Sequence, residues 1–190
     1  MIRYISLKYI VIVACFWWMQ ARVVAAELPQ NAQEIHVGVA SCASGVCHGS
    51  VHARTTTSVL QNEYVVWSRL DRHRTAYQTL LSEQSRWIAQ NLGLANAHEA
   101  DVCLDCHADN VAAEKRGERF QIDDGVGCEA CHGGAENYLA SHANPNQSHE
   151  QNLQAGLYPA DRLIDRAALC LSCHVGNASK IVSHRIMGAG

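Results

Sequence analysis

From Ser58 onward, apolar and ring-bearing residues recur at helical spacing, with Val66, Leu70, His73, Tyr77 and Leu80 on one stripe. Ser58 and Gln61 have the spacing of a capping box and Gly93 supplies a stop, so the pattern predicts helix between them. Ser82 to Ser85 interrupts it, with Trp87, Ile88 and Leu92 on the buried side of the segment beyond the break; one long helix and two shorter ones both fit. A further helix is expected from Asp161, just after Pro159, to Gly176. Residues 27–57 lack periodicity and are rich in Ala, Ser, Gly and Thr, while residues 108–127 and Asn144-Pro145-Asn146 read as surface segments. The expected fold is mainly α and loop-rich.

The N-terminus has a different pattern. Arg3 and Lys8 precede an apolar run from Tyr9 to Met19, and Val24-Ala25-Ala26 places small residues where a signal peptidase cuts. Residues 1–26 are therefore expected to be a signal peptide, with a periplasmic domain from Glu27 to Gly190. The run is too short to span a bilayer comfortably. Ile12-Val13-Ala14-Cys15 resembles a lipobox, but it follows Lys8 closely and apolar sequence continues past it; lipidation and an uncleaved anchor are the lesser readings.

Removing the leader takes away Arg3, Lys8 and Arg22 and no acid, so the formal charge moves from −3 to −6. That argues against nucleic-acid binding and leaves membrane association to a partner protein. Only one Phe, four Tyr and two Trp remain to build an interior, so something besides the polypeptide must supply apolar bulk.

The cysteines say what. Of nine, Cys15 lies in the leader and eight fall into four close pairs. Cys103-Leu104-Asp105-Cys106-His107, Cys128-Glu129-Ala130-Cys131-His132 and Cys170-Leu171-Ser172-Cys173-His174 each match the C-x-x-C-H pattern of covalent haem attachment. Two thiols one helical turn apart each form a thioether to the porphyrin, and the adjacent imidazole faces the iron. The fourth pair, Cys42 and Cys47, encloses four residues but is followed by His48, and Gly45 would let the longer loop bulge. Four covalent c-type haems are expected, forming most of the core. A Cys42–Cys47 disulfide is the rival for the wide pair. Zinc would need two pairs per ion and leaves the histidines without a role. A thioredoxin-like redox pair wants an α/β alternation that this sequence lacks.

His48, His107, His132 and His174 are the proximal ligands on this reading. Methionine beyond the leader is reduced to Met187, so histidine or an open position must complete most of the irons, and low potentials are expected. His73, on the apolar stripe, is the best candidate sixth ligand; His142 and His184 follow the third and fourth motifs in short polar contexts. Each also has an ordinary reading, as a buried structural or a solvated histidine. His52 is too close to His48 to bind the opposite face of the same iron, and His36, His98 and His149 read as polar loop residues without a role.

The motif order, with Trp67 and His73-Arg74-Thr75-Ala76 between the first and second pairs and Gly125-Val126-Gly127 ahead of Cys128, resembles the tetrahaem cytochrome c-five-five-four (c554) family, relatives of hydroxylamine oxidoreductase. The resemblance spans about residues 38 to 176. It implies that His142 completes the first haem, His73 the fourth and His184 the third, and that the haem on His107 is five-coordinate and open to a small molecule. The wide Cys42–Cys47 pair departs from the family pattern. The chain also stops at Met187-Gly188-Ala189-Gly190, soon after His184, as a piece of a longer multihaem protein would.

The function expected first is electron transfer between redox partner proteins, with an acidic surface that a basic partner would dock against. An oxidoreductase acting on a small nitrogen or sulfur compound at the His107 haem is the alternative, and a subunit of a membrane-bound respiratory complex is a third reading. No catalytic constellation beyond the haems is readable.

Overall fold

The structure is a computed structural model, and it describes residues 25–190. Nearly all of the expected leader, with the lipobox-like segment, lies outside the described residues. Within them the chain is mainly helical and loop-rich, with no strand; the one bridge of β type joins His36 to Arg116. Among the described residues no helix is long and apolar enough to cross a membrane.

We number the α-helices α1 (Glu63–Leu70), α2 (Ala76–Thr79), α3 (Glu83–Leu92), α4 (Asp101–His107), α5 (Glu129–His132), α6 (His149–Gln154), α7 (Leu163–His174) and α8 (His184–Met187). The stripe from Val66 to Leu80 is not one helix. Asp71 leaves α1 in an extended conformation, and its carboxylate accepts the His73 N–H, opening a 3-10 turn over Arg72–Thr75 before α2. The expected cap at Ser58 and Gln61 is also corrected. Gln61 has φ +58°, which no helical first turn allows, and its carbonyl accepts from Ser50 N–H instead, so α1 begins at Glu63.

Ser82 does cap α3, accepting from Ser85 N–H at 3.1 Å, and Gly93 ends it at φ +75°, the left-handed geometry glycine adopts at little cost. α7 starts at Leu163, two residues later than expected, and carries the fourth motif on its last turn.

Residues 108–127 differ most from expectation. Ala108, Asp109 and Val111 are buried, because the segment runs inward beside the N-terminal strand-like stretch: His36 N–H donates to Lys115 carbonyl at 2.8 Å and Gly117 N–H to His36 carbonyl at 2.9 Å. The polypeptide's own apolar core is small. Leu80, Ala89, Ala97, Leu104 and Ala108 cluster where α3 and α4 each pack on the 3-10 turn Ala97–Glu99, with Tyr77, Leu94, Cys103 and Ile122 packed around them. Large apolar side chains such as Leu70, Leu163, Leu171 and Val175 are more than half exposed, so this chain leaves apolar surface that its own residues do not cover.

Candidate functional site

The three C-x-x-C-H motifs share one construction. α4, α5 and α7 each end on the motif histidine, and the two cysteines lie three residues apart on the preceding turn. The first motif is built otherwise. Cys42 follows a 3-10 turn over Val39–Ser41, and the loop to Cys47 closes through His48 N–H donating to the Cys42 carbonyl at 3.2 Å. The glycine this loop requires is Gly49, not Gly45: a Cβ at Gly49 would collide with the Ala43 carbonyl, whereas Gly45 has open space around it.

The eight cysteines within the described residues are free thiols. Contacts run between motifs: Gly38 N–H, just ahead of the first motif, donates to Glu129 Oε2 in the third at 2.7 Å, and Cys173 Sγ lies 3.7 Å from the Asp105 carbonyl in the second. The first motif therefore lies beside the third and the second beside the fourth. A cavity of ≈ 420 Å³ opens between the second, third and fourth, lined by His73, Cys106, His107, Cys131, Cys173 and His174. Lys180 also lines it, with Nζ 3.2 Å from Cys173 Sγ. The neighbouring Cys106 and this ammonium together lower the pKa of the Cys173 thiol.

Two pairs of imidazoles meet across this arrangement. The rings of His48 and His142 are 6.1 Å apart, centre to centre, and nearly parallel at 7°. Those of His73 and His174 are also 6.1 Å apart, but inclined at 75°. Two metal–nitrogen bonds of about 2 Å, with about 1.1 Å from each nitrogen to its ring centre, separate two imidazoles on one metal ion by roughly 6.2 Å.

The outer nitrogens are anchored in a way that leaves Nε2 free. His142 Nδ1 lies 3.0 Å from the Tyr138 carbonyl, His48 Nδ1 2.9 Å from Glu63 Oε2, and His107 Nδ1 3.0 Å from the Ala76 carbonyl. An imidazole that donates from Nδ1 presents the Nε2 lone pair to a metal. Among the described residues no ring pairing is found for His107, His132 or His184; His184 opens α8, which packs against the end of α3.

Residues 41–133 match the family of cytochrome c554 and c-prime. Over that stretch the chain is similar to the cytochrome c554 family. No curated protein and no solved structure matches the chain. The matched span holds the first three motifs and α1 to α5; Cys170–His174 lies beyond it. Cytochromes of this family are electron-transfer proteins, typically exported, and carry haem c. The donor set here fits that group: thiol pairs beside an imidazole, and imidazoles facing one another at the spacing of two ligands on one iron.

Several residues that organise this c554-type site carry no signal in the sequence. Glu129, inside the third motif and 2% exposed, accepts from Val37 N–H and Gly38 N–H at 2.7 Å and from Ala135 N–H at 2.8 Å. Burial raises its pKa, and the three donors offset part of that rise. His36 is wholly buried with Nδ1 2.8 Å from Asp109 Oδ2. His36, Asp109 and Glu129 bring their donor atoms within 4.8 Å of one another, but both Glu129 oxygens are occupied by backbone N–H groups, so the cluster is an anchor for the N-terminal segment. Trp67 Nε1–H donates to the Val126 carbonyl at 3.0 Å, tying α1 to the Gly-Val-Gly run ahead of the third motif.

Proposed function

We propose that the chain is a periplasmic electron carrier exported by residues 1–26, with four haem c groups held through Cys42/Cys47, Cys103/Cys106, Cys128/Cys131 and Cys170/Cys173. His48, His107, His132 and His174 are the proximal ligands; His142 is the sixth ligand at the first site and His73 at the fourth. The observation that carries this reading is the pair of imidazole contacts at 6.1 Å, each joining a motif histidine to one distant in sequence. His184 is assigned to the third site by family resemblance alone. His107 is the motif histidine that faces the cavity without a second imidazole, and it is where a small molecule would bind.

Each haem, when bound, supplies a one-electron iron couple, and its face adds to the apolar core that the polypeptide leaves small. The residues' part is to hold neighbouring sites close. The Gly38–Glu129 and Asp105–Cys173 contacts support placing the first site beside the third and the second beside the fourth, with a cavity shared by the second, third and fourth. Such a path needs no substrate pocket, and the acidic surface steers a basic donor or acceptor protein to it.

Electron paramagnetic resonance of the oxidised, haem-loaded protein tests this reading. Near-parallel rings at His48 and His142 should give an ordinary rhombic low-spin signal, and the inclined rings at His73 and His174 one with a much larger maximal g value. A spectrum lacking both would overturn the ligand assignment.

A further inference from the structure

His48 is the one motif histidine that does not end an α-helix. With four residues between Cys42 and Cys47, no single helical turn carries both thiols and the imidazole, so the orientation of the ring must come from elsewhere. It comes from the start of α1. Tyr64 N–H donates to the His48 carbonyl at 3.0 Å, and His48 Nδ1 lies 2.9 Å from Glu63 Oε2. The carboxylate is itself fixed: Glu63 Oε1 accepts from Leu60 N–H at 3.0 Å and from Gln61 N–H at 3.2 Å. That geometry depends on Gln61, the one non-glycine residue at positive φ among the described residues, whose carbonyl is held by Ser50 N–H at 2.8 Å. Backbone strain of this kind persists where the surroundings over-determine it.

The other anchored rings differ. His142 and His107 have backbone carbonyls as acceptors, and Asp71 meets His73 Nδ1 at 3.0 Å with the same oxygen that accepts the His73 backbone N–H, whereas Glu63 keeps Oε2 for His48 and gives Oε1 to the backbone. A carboxylate accepting the Nδ1 proton makes the imidazole a stronger electron donor than a carbonyl does, which favours ferric over ferrous iron.

We propose that Glu63 is a positioning residue for the first haem: it fixes the ring plane of His48 in place of the helix that the wide motif lacks, and lowers the reduction potential of that haem. The inference rests on the haem reading of Cys42, Cys47 and His48. The near-parallel ring planes of His48 and His142 are then the direct consequence of a ring clamped from both its backbone and its Nδ1.

The test uses the full, haem-loaded protein carrying Glu63→Gln or Glu63→Leu, with peptide mapping for attached porphyrin, spectroelectrochemical titration and electron paramagnetic resonance. The Glu63 side chain is 47% exposed, so neither change opens a cavity. Glu63→Gln should keep every haem and the rhombic signal while the potential of one haem moves upward and the others stay. Glu63→Leu should also shift or broaden the rhombic signal, since nothing then orients the ring. A full haem complement with every potential unchanged in Glu63→Gln would overturn the inference alone. Absence of porphyrin on the wild-type peptide containing Cys42 and Cys47 would overturn the haem reading of that motif, and the inference with it.

Discussion

Replacing Glu129 removes the acceptor on which three backbone donors converge, those of Gly38 and Ala135 buried and that of Val37 half-buried, at 2.7 to 2.8 Å. Leaving a buried donor without a partner costs about 1–3 kcal/mol. The three share one carboxylate whose own burial is unfavourable, as its raised pKa shows, so their losses overlap; Glu129→Ala is expected to cost about 3–5 kcal/mol. Glu129→Gln keeps one oxygen, which in the native side chain serves both Val37 and Ala135, but turns an NH2 group toward Gly38 N–H, for about 1–3 kcal/mol. The assay is guanidinium denaturation of the haem-loaded protein, followed by far-ultraviolet circular dichroism and the Soret band, since haems bound through the proposed thioethers would stay on the unfolded chain. Both variants falling within about 0.5 kcal/mol of wild type would refute the claim that Glu129 anchors the N-terminal segment to the third motif.

Two further outcomes are expected from the same geometry. His142→Ala and His73→Ala should each convert one low-spin haem to high spin, the first removing the rhombic signal and the second the large-g signal; a single signal lost in both would contradict the pairing. Burial works against a charged His36, but the hydrogen bond and charge of Asp109 outweigh it, and the folded pKa lies above 6.5. The stabilisation from that pair is therefore complete below pH 6.5 and lost as pH rises through the higher folded value. The stability gap between wild type and His36→Gln should narrow as pH rises; a gap that widens would contradict the sign.

What could be read in the sequence was local chemistry. The C-x-x-C-H motifs point to a haem-binding family within five residues each, and Ser82 and Gly93 mark the ends of α3, one by its side chain and the other by its left-handed backbone. The stripe from Val66 to Leu80 misled because periodicity does not register Asp71, which stops α1 and starts a 3-10 turn without breaking the apolar spacing. The capping-box spacing at Ser58 failed for the opposite reason: Gln61 is drawn into a left-handed conformation by a partner at Ser50, outside any helical window.

His36 and Glu129 were unreadable because their partners lie 73 and about 90 residues away along the chain, and a buried charged residue looks in sequence like an exposed one. His73 and His142 were singled out by the apolar stripe and by position after a motif, but their partners came only from family resemblance. Which histidine faces which is a property of the folded chain, and the structure sets His142 against His48 and His73 against His174.

The most direct test of the whole account is the intact mass of the protein exported from a host with working cytochrome c maturation. The mass expected is that of residues 27–190 plus four porphyrins bound through thioethers, one of them on the peptide containing Cys42 and Cys47. A mass showing bound zinc or disulfides and no covalent porphyrin would contradict the account at its root.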